Sequence, residues 1–171
     1  MPCPLADLNT CDAARFVAVC GPLYEHSPWV AERACARRPF ASLAALHEAL
    51  VGAVRAATAD EQLALIRAHP DLVGRLAREG RLTAASTVEQ AAAGLDALSP
   101  GEADAFERYN RSYRERFGFP FVICARENRK DAILAAFPVR LAHTAEEERA
   151  AALVEIGRIG WLRLRDAVHE A

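Results

Sequence analysis

Four segments of the chain match the capping-box pattern, in which a Ser or Thr at a helix start is followed three residues later by Glu. They begin at Thr58, Ser86, Ser99 and Thr144. The segment after Ser42 repeats apolar residues at helical spacing, and the two-residue alternation typical of strands is absent. With no repeat, linker or composition break, we predict that residues 1–171 form a single compact all-α domain of about seven to nine helices.

One stretch, residues 117–125, departs from the helical pattern. Gly118 is placed where a helix-ending glycine belongs, and Pro120 also interrupts helices. The β-branched Val122 and Ile123 favour extended backbone. An extended segment between helices offers N–H and C=O groups that require partners. Two interpretations stay open: a buried connector whose backbone is satisfied internally, or an edge that binds a planar, hydrogen-bonding ligand.

Composition excludes several classes of protein. The chain is 52% hydrophobic and 26% charged with a formal net charge of −2, which gives no electrostatic footprint for nucleic acid or an anionic membrane. No run approaches the ~20 apolar residues of a membrane span, and no secretory signal segment opens the chain. Five cysteines without a C-x-x-C pair favour a reducing compartment, so we expect a cytoplasmic protein.

His69 and Pro70 follow the helix that Thr58 begins. Proline disfavours helical backbone for the residue before it, so His69 is expected where the chain leaves the helix. Imidazole titrates near neutrality, which suits proton transfer. A surface or capping histidine is the alternative.

Glu89 also has two interpretations. As the last residue of the pattern at Ser86 it is the reciprocal partner of a helix cap, which the local pattern favours. Near a helix N-terminus it could instead take part in binding a ligand.

Arg163 lies on a stripe of apolar and small residues in the last predicted helix, together with Ile156 and Gly160. A desolvated guanidinium needs an anion, which either the fold or a ligand must supply, unless the side chain reaches water at the edge of the stripe.

Cys124, inside an apolar run, is interpreted as a small buried hydrophobe rather than a nucleophile. The histidines lack metal-ligand spacing and no phosphate-binding loop is present, so we predict no metal site.

Six motifs occur in a fixed order along nearly the whole chain, from about Leu8 to Leu164. They read SPWVAE at 27–32, RPF at 38–40, AHPDL at 68–72, SxxEQ at 86–90, FGFPFVIC at 117–124, and EIxxI with RL at 155–164. Together they strongly resemble the 2-oxo-4-hydroxy-4-carboxy-5-ureidoimidazoline (OHCU) decarboxylases of urate degradation. The resemblance implies an all-helical, cofactor-free enzyme, usually a homodimer, that yields (S)-allantoin.

The resemblance also implies roles for residues of this chain. The catalytic group would be His69, assisted by Glu89 and Arg163. The substrate would contact Pro70, Ser86, Gln90, Phe121, Val122, Ile123, Cys124 and Ala125. These residues are expected to converge on one pocket.

Two other functions stay open. The first is a catalytically silent binding module on the same scaffold, which would be expected to lose His69, Glu89 or Arg163, whereas all three are present. The second is a related decarboxylase or hydrolase that acts on another ureido compound, a choice that pocket shape would decide.

Overall fold

The computed structural model describes residues 2–74, 77 and 79–170. Within them the chain forms nine α-helices and one pair of two-residue strands. In chain order these are β1 (Cys3–Pro4), α1 (Leu5–Thr10), α2 (Ala13–Cys20), α3 (Trp29–Cys35), α4 (Leu43–Arg55), α5 (Ala59–Ala68), α6 (Ala84–Ala92), α7 (Pro100–Phe117), α8 (Lys130–Leu141), α9 (Ala145–Ala167) and β2 (Val168–His169). The predicted all-α class is confirmed.

Three of the four predicted capping boxes form. The pairs are Thr58–Glu61, Ser99–Glu102 and Thr144–Glu147. In each pair the Glu carboxylate accepts the backbone N–H of the Ser or Thr, at 2.9, 2.7 and 2.8 Å respectively. The backbone N–H of each Glu donates back to the hydroxyl at 3.3 Å. These contacts satisfy N–H groups that a helix start leaves without partners, which is why the local pattern predicts them correctly.

The fourth capping prediction is wrong. Helix α6 begins one turn earlier, because the Thr83 side chain accepts the backbone N–H of Ser86 at 3.2 Å and acts as the cap. The Thr83 hydroxyl also donates to Ser86 Oγ at 3.0 Å. Ser86 and Glu89 are therefore interior residues of the helix, and Glu89 is not the reciprocal partner of a cap.

The chain divides into two compact units. Residues Met1–Ala68 with Gly157–Ala171 form the first, called here the terminal unit, and residues His69–Ile156 form the second, the central unit. Helix α9 contributes residues to both. That residues 1–171 behave as one domain stays a prediction.

In the terminal unit, helix α3 packs against α2 and α4. Fully buried apolar side chains fill this unit, among them Leu8, Phe16, Val30, Leu46 and Leu50. Each contributes about 1.5–3 kcal/mol through burial. Strands β1 and β2 pair in parallel, which joins the beginning of the described chain to its end.

In the central unit, aromatic rings hold the irregular segment after α7. Gly118 ends that helix in the left-handed conformation, with φ 74°, as predicted for a helix-ending glycine. Phe121 then stacks on Phe137 of α8, with ring centroids 3.9 Å apart, and meets Tyr113 of α7 edge-on at 5.3 Å. These contacts fix where the segment 121–125 runs.

Candidate active site

His69 is the first residue of the central unit and is buried, with 6% of its surface exposed. Helix α5 ends at Ala68, so His69 lies where the chain leaves the helix, as the following Pro70 predicts. The imidazole is thus held in a protein interior, and the interpretation of His69 as a surface histidine is wrong.

Three side chains hold the loop that follows His69. Arg114 donates through Nε to the carboxylate of Asp71 at 2.9 and 3.0 Å. Asn110 Nδ2 donates to the carbonyl of Leu72 at 2.7 Å, and the N–H of Val73 donates to Gln90 Oε1 at 3.1 Å. These contacts bind the loop to α6 and α7 within the central unit.

Val73 has φ 55°, in the left-handed region that a β-branched residue rarely adopts. Such a conformation costs on the order of 1–3 kcal/mol and persists where the surroundings enforce it, often near functional sites. The hydrogen bond from Val73 to Gln90 is one enforcing contact. Gln90, predicted as a substrate contact, is therefore also a support for the His69 loop.

Helix α6 places Ser86, Glu89 and Gln90 on one face, because they are separated by three and four residues. All three are buried, with 4%, 8% and 7% of their surfaces exposed. This helix packs against the short 3₁₀ helix Ala125–Glu127, which directly follows the predicted ligand-binding edge. The central unit thus brings the SxxEQ motif close to the end of the 121–125 segment.

The 121–125 segment is a connector satisfied by the protein at two residues, and its role as a ligand-binding edge stays a prediction. The Val122 carbonyl accepts Nη1–H of Arg140 at 2.7 Å, and the Cys124 N–H donates to the Glu155 carboxylate at 2.8 Å. At these positions the segment is a connector satisfied by the protein. In the described part of the chain, however, neither the N–H nor the C=O of Ile123 makes a hydrogen bond.

Cys124 is 1% exposed, and burial raises the pKa of its thiol to about 11. The negative charges of Glu127, Glu155 and Glu89 raise this pKa as well. A thiol with this pKa stays protonated at neutral pH and is a poor nucleophile. The geometry agrees with the interpretation of Cys124 as a buried hydrophobe.

Arg163 belongs to the terminal unit, where its Nη1 lies 2.9 Å from Glu25 Oε2. The two side chains are 7% and 3% exposed, so the fold itself supplies the anion that a buried guanidinium needs. The same nitrogen is 3.5 Å from the carbonyl of Leu23. The interpretation of Arg163 as an edge residue that reaches water is wrong, whereas its place in the pocket stays a prediction.

Sequence reasoning missed four residues whose side chains bind the predicted site residues or the loop after His69. They are Glu25, Asn110, Arg140 and Glu155. Their contacts join residues 31 to 138 positions apart, with Arg140 and Val122 the exception at 18, so no local spacing announces them. The one available signal was the requirement that a buried Arg163 have an anion, which does not say which acid supplies it.

Among the residues that the structure describes, neither a metal site nor a membrane-spanning helix is found. No three His, Cys, Asp or Glu side chains in this part of the chain cluster so that they could hold a metal ion. No helix among the same residues is long and apolar enough to cross a membrane.

Comparison with known proteins gives consistent matches. A family described as OHCU decarboxylase matches residues 9–165. The chain is 46% identical over 162 residues to the 2-oxo-4-hydroxy-4-carboxy-5-ureidoimidazoline decarboxylase of Haloferax volcanii, covering 95% of this chain and 94% of that protein.

Solved structures are similar as well. One described as (S)-allantoin synthase superposes with a TM-score of 0.78 at 29% identity, covering 98% of this chain. This chain spans 54% of that longer protein. An OHCU decarboxylase determined in the presence of (S)-allantoin has the same fold, with a TM-score of 0.69 at 20% identity, and the match covers 91% of this chain and 97% of that one.

Proposed function

The chain belongs to the OHCU decarboxylase family, and on that premise we propose that it converts 2-oxo-4-hydroxy-4-carboxy-5-ureidoimidazoline into (S)-allantoin and CO₂. The family makes it a decarboxylase, a carboxy-lyase of urate degradation. The proposal concerns the exact substrate, the handedness of the product and the residues that act.

The main support for the proposal is that the polar face of α6, formed by Ser86, Glu89 and Gln90, is buried in the same unit as His69. Glu89 is 8% exposed, and its helix does not use it as a cap. A carboxylate and an imidazole, the two groups that most often serve as general acid or base, are therefore both held in the interior of this unit, which favours a role in proton transfer.

The substrate itself explains why so few groups suffice. Its carboxylate leaves a carbon that bears a hydroxyl and neighbours a ring C=N. When the carbon–carboxylate bond breaks, CO₂ departs and the electron pair moves into the C=N. The substrate therefore provides its own electron sink, and the proposal requires no cofactor for this step.

His69 transfers the protons of the reaction, and Glu89 assists it. His69 assists the loss of CO₂ at the hydroxyl and ring, which leaves an enol between the hydroxyl-bearing and the ureido-bearing carbon. The hydroxyl then loses its proton to become the ring C=O, and His69 delivers a proton to one face of the ureido-bearing carbon, which sets the S configuration. Glu89 orients the imidazole or accepts the ureido N–H groups. A positioned proton-transfer group contributes roughly 10²–10⁴-fold to the rate.

Backbone and amide groups orient the planar ring and the ureido arm. The N–H and C=O of Ile123 offer the hydrogen-bonding edge, and Ser86, Gln90 and Pro70 make further contacts with the substrate. Gln90 already accepts the Val73 N–H through its oxygen, so its amide nitrogen is the group it offers to the substrate. Holding the substrate in this way lowers the entropic part of the barrier.

Arg163 pairs with an anionic part of the substrate. Its Nη1 is engaged by Glu25, which fixes the orientation of the planar guanidinium.

We further propose that the enzyme is a homodimer. We also propose that it works in the cytoplasm, in keeping with its five free cysteines.

The test is the optical activity of the product. Chelator-treated protein is mixed with freshly generated substrate, and circular dichroism follows the allantoin formed. The proposal predicts rapid appearance of a single-handed signal, since spontaneous decay of the substrate yields racemic allantoin. Conversion at the rate of the buffer control, without a signal, would contradict it and favour a silent binding module.

A further inference from the structure

A buried charged network lies beside the 121–125 segment in the central unit. Glu148 of α9 is fully buried, and its Oε1 accepts the Tyr113 hydroxyl at 2.5 Å and Nε–H of Arg140 at 2.6 Å. Its other oxygen lies 2.8 Å from Nδ1 of His143. A buried carboxylate is tolerated only with such a set of partners.

Arg140 connects this network to the backbone of the segment. Its Nη1–H donates to the Val122 carbonyl at 2.7 Å, and its guanidinium lies over the ring of Phe121, 4.6 Å from the centroid. Arg140 is 8% exposed. One planar side chain therefore holds Glu148, the carbonyl of residue 122 and the aromatic ring before it.

Two charged side chains hold alternate residues of the segment. Arg140 holds the carbonyl of Val122, and Glu155 holds the N–H of Cys124. In extended backbone, the polar groups of residues two apart point to the same edge and those of the residue between them to the other. Cys124 has extended backbone, with φ −70° and ψ 93°, and this alternation assigns the N–H and C=O of Ile123 to the edge opposite Arg140 and Glu155.

We infer that Arg140 and Glu148 are positioning residues: they hold the Val122 carbonyl so that the opposite edge of the segment, at Ile123, is presented to the substrate. The inference rests on the proposed function, which uses that edge to orient the ring and ureido arm. Neither side chain takes part in proton transfer.

The chemistry of Arg140 explains the choice of residue. A guanidinium has five donors in a rigid plane, so it can serve a carboxylate and a carbonyl at once. A Lys at this position would keep a positive charge beside Glu148 but would offer one compact ammonium on a flexible stem. A misplacement of about 1 Å at a reacting site can cost on the order of 10²-fold in rate.

The experiment compares Arg140→Lys with Tyr113→Phe. Both change a donor of the same buried network, but of the two only Arg140 hydrogen-bonds the segment, and Tyr113→Phe keeps the ring that packs against Phe121. We expect Arg140→Lys to lower kcat roughly 10- to 100-fold. Tyr113→Phe should stay within about twofold of the wild-type kcat, because orientation at Ile123 is unchanged. Equal losses in both variants, or wild-type kcat in a folded Arg140→Lys variant, would overturn the inference.

A second measurement does not need activity. Hydrogen exchange of peptides that cover residues 121–125 should accelerate in Arg140→Lys and stay at the wild-type rate in Tyr113→Phe. Unchanged exchange in Arg140→Lys would overturn the inference even if the wild-type protein were inactive, whereas inactivity alone would contradict only the proposed function.

If Arg140→Lys does not fold, the double variant Arg140→Met/Glu148→Met replaces it. Removing both charges leaves no unpaired buried ion, and such replacements are often neutral for stability. The same loss of kcat and the same faster exchange are expected. A folded double variant with wild-type behaviour in both measurements would overturn the inference.

Discussion

The ion pair between Arg163 and Glu25 is almost fully withdrawn from solvent, with 7% and 3% of the side chains exposed. Glu25→Gln keeps the size of the side chain but leaves the guanidinium without its anion. We expect the free energy of unfolding to fall by about 3–5 kcal/mol, the usual cost of breaking a buried pair. Urea denaturation of the variant and the wild type measures it.

The matched control is Glu48→Gln, which breaks the pair between Arg55 and Glu48 with side chains 68% and 67% exposed. Exposed pairs are screened by water and contribute little, so this change should be far smaller. Similar losses in the two variants would contradict the description of Arg163 and Glu25 as a desolvated pair.

At the residue scale, the sequence indicated which side chains would require a partner, but it did not identify the partner. The stripe around Arg163 left two outcomes open, a buried guanidinium that requires an anion or one that reaches water, and the structure shows the first. It could not identify Glu25, 138 positions away, among 23 acidic residues, because that contact depends on how the chain folds back on itself.

Elements were predicted most accurately where local contacts decide them. Three capping boxes and the glycine at the end of α7 were correct, since each involves residues at most four apart. The box at Ser86 failed because Thr83, three residues earlier, is also a capping residue. Starting at Thr83 buries Ser86, Glu89 and Gln90 on one face, a tertiary gain that no local pattern expresses.

The cap of α6 can be tested directly. Thr83→Ala removes the acceptor for the Ser86 N–H and should lower the free energy of unfolding by about 1 kcal/mol. Chemical denaturation measures the change. The control is Thr87→Ala, an exposed Thr in the same helix that is not a cap, for which we expect little change because Ala favours helices. A neutral Thr83→Ala, or an equal loss in Thr87→Ala, would place the cap elsewhere.

At the scale of the whole molecule, the predicted site residues fall into two groups. His69, the face of α6 and the 121–125 segment all belong to the central unit, whereas Arg163 belongs to the terminal unit. The fold class followed from helical periodicity and caps. The support of the site by Asn110, Arg140, Glu148 and Glu155 did not, because these contacts join elements that only the tertiary fold brings together.

The central claim is that His69 carries out proton transfer in the buried site of the central unit. The most direct measurement is the rate of (S)-allantoin formation, by circular dichroism, in His69→Asn. The control is His47→Asn, a partly buried histidine of the terminal unit whose Nε2 lies 2.9 Å from the Gly157 carbonyl. We predict that His69→Asn loses roughly 10²–10⁴-fold in rate with its fold retained, whereas His47→Asn keeps its rate. Wild-type turnover in a folded His69→Asn variant would contradict the account.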